Sequence, residues 1–165
     1  MIEDRLTAYH EAGHALASYR MNTYAGELSI IPNKEENSLG RLHILEQDDC
    51  SVKGIHDAAI ILYAGGEAAR IAGDGKEPEG IWSDYEKAQE LIKPYLEMDE
   101  RQIQNEAAQL LRDNWRHVHA LASALIELKA LSGEEWQTII EAIDCGLDWR
   151  QELAYFTRAR ADFLI

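Results

Sequence analysis

Only two of the 165 residues are cysteine, three are proline and two are phenylalanine, and bases are scarce, with 16 Lys plus Arg against 30 Asp plus Glu. Each shortage closes off a class of protein. Cys50 and Cys145 lie far apart and form no C-x-x-C pair, so neither a disulfide framework nor a thiolate zinc knuckle is expected, and two reduced thiols are the default. The formal charge of −14 repels nucleic-acid backbones and anionic lipid surfaces alike. No uncharged apolar run approaches the roughly 20 residues of a transmembrane helix, and the longest, residues 58–66, is less than half of that. The opening Met-Ile-Glu-Asp-Arg places acid where a secretory leader is basic, so a cytoplasmic setting is expected. A phosphate-binding G-x-x-x-x-G-K-[ST] loop is missing too, and the nearest fragment, Gly73-Asp-Gly-Lys76, lacks both the leading glycine and the hydroxyl.

What is present suffices for one globule. Apolar residues make up 46% of an 18.7 kDa chain, enough for the core of a single domain. We expect residues 1–146 to form that domain and residues 147–165, rich in aromatics and charge, to be an extension that packs on it or on a partner. Apolar residues at three- and four-residue steps predict a first helix over 4–21, followed by two short strands at 27–32 and 40–45. Ser51 is placed to cap a long helix, 52–72, whose apolar stretch 58–69 makes it the central core element and whose Gly65-Gly66 suggests close approach of a neighbouring backbone. Ser83-Asp-Tyr-Glu86 reads as a capping box opening a helix toward Met98, with Pro94 kinking or ending it. Residues 99–131 fit one long helix or two joined near Asn114, and Ser132-Gly-Glu-Glu135 is a second capping box for a helix ending near Cys145-Gly146. The fold class is therefore mainly α (α+β), with a small hairpin or sheet next to the first helix.

The first helix carries His10-Glu-Ala-Gly-His14, an H-E-x-x-H motif. One helical turn separates the histidines, so both imidazoles leave one face and can reach a single Zn²⁺, with Glu11 directed toward the metal's water. In such a site the metal acidifies the water and polarises a carbonyl, and the glutamate takes the proton as general base and returns it to the leaving amine. A catalytic zinc needs a third protein ligand. Asp84, Glu67, Glu86, His43 and His56 are the candidates. Asp84, at a helix start, is favoured as a carboxylate by the helix dipole. Glu67 has an equally good use as the i,i+3 partner of Arg70, His43 and His56 suit surface or satisfied roles, and His117 and His119 read as solvent-facing.

Several segments carry a resemblance. Thr7-Ala-Tyr-His-Glu-Ala-Gly-His-Ala15 resembles the zinc helix of the peptidase domain of FtsH-type proteases, membrane-anchored AAA+ metalloproteases. Leu28-Ser-Ile-Ile-Pro32 with Leu39-Gly40 is similar to that family's following strand, residues 60–69 to its Gly-Gly-x-Ala-Ala helix, 80–88 to its Gly-x-x-x-Asp-x-x-x-Ala segment and 111–135 to its C-terminal helix pair. The resemblance implies a zincin-like helical fold, one Zn²⁺ per chain held by His10, His14 and Asp84, and Glu11 as base. It also implies a strand edge at Leu28 to Pro32, or at its neighbour, along which extended substrate lies. Departures are visible: Glu67 precedes Arg70 where the family has Arg before Glu, and Trp82-Ser-Asp-Tyr85 replaces its usual Ser-Asn-Asp-Leu. No membrane anchor or ATPase module is recognisable.

The expected function is thus a zinc metalloendopeptidase acting on peptides or unfolded proteins, with self-association and a separate ATPase or adaptor as possible partners. The alternative is a non-catalytic zinc-binding interaction module of the same fold.

Overall fold

The structure is a computed structural model describing residues 2–23, 25–32, 41–44, 51–73, 81–95 and 97–163. Leu39-Gly40, Cys50 and residues 74–80 of the glycine loop lie outside the described residues, as do the side chains of His43 and Trp82. The described residues form seven helices and one small antiparallel sheet, so the fold is mainly α with a small sheet. No helix of the described residues is long and apolar enough to cross a membrane.

Helix α1 (Ile2–Arg20) is the axis of the molecule. Ala8, Ala12, Ala15, Leu16 and Ala17 are buried on several of its faces, because α2 (Val52–Ala72) packs on one side and α5 (Trp115–Leu128) on another. Small residues set how closely α1 and α2 approach. A Cβ at Gly13 would stand 2.5 Å from the Ala64 carbonyl oxygen and 2.7 Å from the Ala68 Cβ, so the crossing admits no side chain there. Ser51 caps α2 as expected, its Oγ accepting from the Gly54 N–H at 3.0 Å.

The remaining helices follow local signals in most places. Asn114 divides 99–131 into α4 (Glu100–Asp113) and α5, donating from Nδ2 to the Leu110 carbonyl and accepting Arg20 Nε on Oδ1. Helix α6 (Gly133–Asp144) opens with the complete Ser132–Glu135 capping box, and Gly146 at φ 73° ends it in the left-handed conformation that glycine tolerates. Helix α3 departs from expectation. It spans Ile81–Ile92, so Ser83 lies within its first turn and is not the N-cap, and it stops before Pro94, whose ring cannot continue the ladder. Residues 149–163 form a further helix, α7 (Trp149–Phe163), which lays Leu153 on the core beside α6.

The sheet is built from β1 (Ala25–Ser29), β2 (Arg41–Ile44) and β3 (Ala130–Leu131), in the order β2-β1-β3. Strand β3 was not expected. Two residues carry no periodicity, and the turn that creates it is Lys129 at φ 70° after α5. Its consequence is that Leu28 and Ser29 pair with Leu42 and Arg41 on one side and with Leu131 and Ala130 on the other. The stretch expected to offer a strand edge is therefore interior for these two residues, and the edges of the described sheet belong to β2 and β3. Trp136, buried in α6, donates its indole N–H to the Gly26 carbonyl at 2.8 Å and ties the sheet to the helices.

Gly13→Ala is expected to destabilise the chain by about 1–3 kcal/mol through overpacking at the α1–α2 crossing. Urea unfolding should show a lower midpoint at an unchanged slope.

Candidate metal centre

The H-E-x-x-H segment lies in the middle of α1, and the helical period puts His10 and His14 one turn apart on the side facing α2 and the start of α3. Their rings meet edge to face, with centroids 4.5 Å apart. His10 Nε2 and His14 Nε2 are 3.0 Å from each other, and Asp84 Oδ2, from the first turn of α3, is 3.1 Å from the first and 3.2 Å from the second. These three atoms are the one group of three or more metal-type donors within 4.8 Å of one another among the described residues.

Helix α2 seats His14 in two ways. The Ile61 carbonyl accepts from Nδ1–H at 2.7 Å, which leaves the Nε2 lone pair directed at the cluster. Gly65, one turn further on, supplies the space. A Cβ there would sit 2.3 Å from His14 Nε2 and 2.5 Å from Cε1, inside the imidazole. Gly65 and Ile61 were not identified from sequence as site residues; the Gly65-Gly66 pair was the signal, and what it admits is a side chain of α1.

The charges are mutually dependent. Burial opposes ionisation of Asp84, but hydrogen bonds and charge from His10 and His14 outweigh it and hold the carboxyl well below the usual range. Burial draws the His14 imidazole down, yet Asp84 and Glu11 raise it on balance, while burial and the neighbouring His14 lower His10. Glu11 is 4% exposed, and burial pushes its carboxyl up to about 7 against the opposing charge of His14.

This donor set fits Zn²⁺. Tetrahedral zinc with bonds of about 2.0–2.1 Å separates its ligand atoms by roughly 3.3 Å, close to the spacings found, and two imidazoles with one carboxylate are typical zinc donors. With neither Nε2 protonated, three inward-facing lone pairs within 3.2 Å of one another repel, and a cation among them removes that repulsion.

The other candidates stand apart. Glu67 is buried but forms an ion pair with Arg70 and accepts from the Tyr85 hydroxyl at 3.1 Å. Glu86 is exposed, and His56 pairs with Glu106 at 2.9 Å. His117 corrects its expectation: it is buried, with Nε2 2.9 Å from Asp144 Oδ1, because the end of α1 brings Arg20 and Asp144 together there. His119 is exposed but is 2.6 Å from the Tyr9 hydroxyl. Cys145 is an exposed free thiol.

Gly65→Ala should displace the His14 ring and weaken Zn²⁺ binding at least tenfold, read by chelator competition. Glu11→Gln tests the buried acid. A carboxyl raised from 4.5 to about 7 by folding is neutral in both states below the unfolded value, costs stability as pH rises through that window, and costs a constant amount above about 7. In chelated protein the variant should therefore match wild type near pH 4 and exceed it by about 3 kcal/mol at pH 8, in urea titrations at each pH.

No family model matches the chain. Among curated proteins it is 28% identical to the ATP-dependent zinc metalloprotease FtsH of Neorickettsia risticii, over 84% of this chain and 28% of that protein. It is 25% identical to the protein of the same name from Thermus thermophilus, over 84% of this chain and 29% of that protein. An FtsH from a Sulfurovum species is 33% identical over a shorter stretch, 55% of this chain and 14% of that protein. The chain spans less than a third of the length of the curated relatives it matches. All three matches bear the same name and two run along most of this sequence, so the chain is similar to FtsH proteins over most of its length.

Proposed function

We propose that this chain is a zinc-dependent metalloendopeptidase acting on peptides or unfolded polypeptides. The observation that carries the reading is the convergence of His10 Nε2, His14 Nε2 and Asp84 Oδ2 within 3.2 Å of one another, with the buried Glu11 on the same helix. In this reading residues 1–146 make up the peptidase domain and 147–165 an extension, and the setting is cytoplasmic.

His10, His14 and Asp84 are the residues that hold zinc, one ion per chain. When bound, zinc supplies Lewis acidity toward a peptide carbonyl and an acidified water. Everything else falls to the chain. Glu11, kept neutral up to about pH 7 by burial without the dication, ionises more readily beside a positive charge and then accepts a proton from the attacking water. The same carboxyl returns that proton to the departing amine nitrogen, so the carboxylate base is regenerated with each cleavage. The Ile61 carbonyl and the space at Gly65 hold the His14 ring in one tautomer and orientation throughout.

Recognition through main-chain hydrogen bonds at an open strand edge suits an extended substrate with little sequence preference. The net charge of −14 favours cationic polypeptides over acidic ones. The relatives are named ATP-dependent, whereas these 165 residues contain no phosphate-binding loop. In this reading coupling to ATP draws on residues outside these 165, a separate ATPase or adaptor being one source, and self-association is a further expectation.

The purified chain should contain about one zinc, lost in His10→Ala, His14→Ala and Asp84→Ala by metal analysis. Glu11→Gln should keep the zinc and lose hydrolysis of an unfolded basic polypeptide by about 10²–10⁴-fold. Zinc retained with no turnover in wild type against a broad peptide library would instead make the chain a non-catalytic zinc-binding interaction module.

A further inference from the structure

We propose that Tyr85 is a positioning residue of this centre: its hydroxyl, anchored on Glu67, sets where Asp84 stands relative to the two histidines. The inference rests on reading His10, His14 and Asp84 as zinc ligands.

The two histidines belong to one helix and keep their spacing by its period. Asp84 comes from another helix, so nothing in α1 sets its distance from them. Its own hydrogen bonds do not set it either. Oδ2 faces the imidazoles, while Oδ1 accepts from Lys87 Nζ at 3.1 Å, an exposed side chain one turn along the same helix. That contact orients the carboxylate on α3 but does not place the first turn of α3 against α2; Ala88 and Ile92 pack with Ala59, Ile60 and Tyr63 only further along the helix.

The next residue ties α3 down. Tyr85 donates its hydroxyl proton to Glu67 Oε1 at 3.1 Å, and its ring meets the buried Tyr63 ring edge on, with centroids 5.2 Å apart. Glu67 is a firm anchor. It is buried, and its other oxygen, Oε2, accepts from Arg70 Nε at 3.0 Å and from the neighbouring Nη2. A hydroxyl bond to an ionised, immobilised acceptor is among the stronger neutral-to-charged hydrogen bonds. Glu67 follows Gly65 by two residues on α2. The same helix thus seats His14 through Ile61 and Gly65 and seats Asp84 through Glu67 and Tyr85, so ligands from α1 and α3 are referred to one rigid element. Ligand sets of this kind need placement to within about 0.5 Å.

Tyr85→Phe keeps the ring and removes only the hydroxyl. Zn²⁺ affinity of the full chain, measured by chelator competition, should fall about 10- to 100-fold, with the melting temperature of the chelated protein within about 2 °C of wild type. Co²⁺ put in place of Zn²⁺ should show weaker visible bands as the carboxylate leaves the coordination shell, a change that a purely structural role for Tyr85 does not produce. Glu67→Ala should weaken Zn²⁺ at least as much, and the double variant Tyr85→Phe/Glu67→Ala should bind no more weakly than Glu67→Ala, since the Tyr85–Glu67 contact is already gone. Glu67→Gln, which keeps an acceptor in place, should bind more tightly than Glu67→Ala and replaces it in the cycle if alanine there prevents folding. Zn²⁺ bound equally by wild type and Tyr85→Phe, or effects that multiply in the double variant, overturn the role of Tyr85 alone. Wild type that binds no Zn²⁺ overturns the ligand reading and this inference together.

Discussion

The crossing of α1 on α2 is the constraint from which the rest of the molecule follows. At Gly13 the backbones come so close that a Cβ would overlap the Ala64 carbonyl, and at Gly65 the missing side chain is replaced by the imidazole of His14. A helix pair held at this distance does two things at once. It buries a small-residue contact, Gly13 against Ala64 and Ala68, and it turns a backbone carbonyl of one helix into the hydrogen-bond acceptor for a ring of the other. Cores are packed densely enough that neither function tolerates an added methyl group.

Around that seam the structure holds groups that do not suit a dry interior. Asp84 is ionised, burial and the neighbouring His14 oppose the protonation of His10, and Glu11 is held protonated well above the ordinary carboxylate range. Removing charge from water without full pairing is costly, and local rules are broken mainly where a site requires it. A dication among these donors relieves the conflict, and binding to the folded state alone adds stability by mass action. In the proposed zinc reading, stability and metal affinity are coupled through the same four side chains.

Legibility in the sequence followed the range of each signal. Ser51, Asn114 and the Ser132–Glu135 pair were readable because a cap or a break is a contest among neighbours along the chain, and each is where it was expected. Ser83 looked like the same signal and was not, since α3 starts two residues earlier and Asp84 and Tyr85 face α1 and α2 from its first turn. His117 reads as a surface residue in the sequence because its burial depends on Arg20 and Asp144, 97 and 27 positions away. Strand β3 has only two residues, and pairing with β1 is all that defines it.

The sequence by itself determined the chemistry on α1: a histidine pair one turn apart with a glutamate between them follows from the helical period alone. It also determined the acidic charge and most helix boundaries, which are local properties. Which third side chain joins the histidines was decided by tertiary structure. Asp84 lies 70 residues beyond His14, and its distance depends on how α3 rests on α2 through Tyr85 and Glu67. The tautomer of His14, the acidity of Glu11 and the loss of the strand edge at Leu28 were decided there as well. Each depends on a neighbour that only folding supplies: a carbonyl from α2, exclusion of water, and a two-residue strand placed by the turn at Lys129.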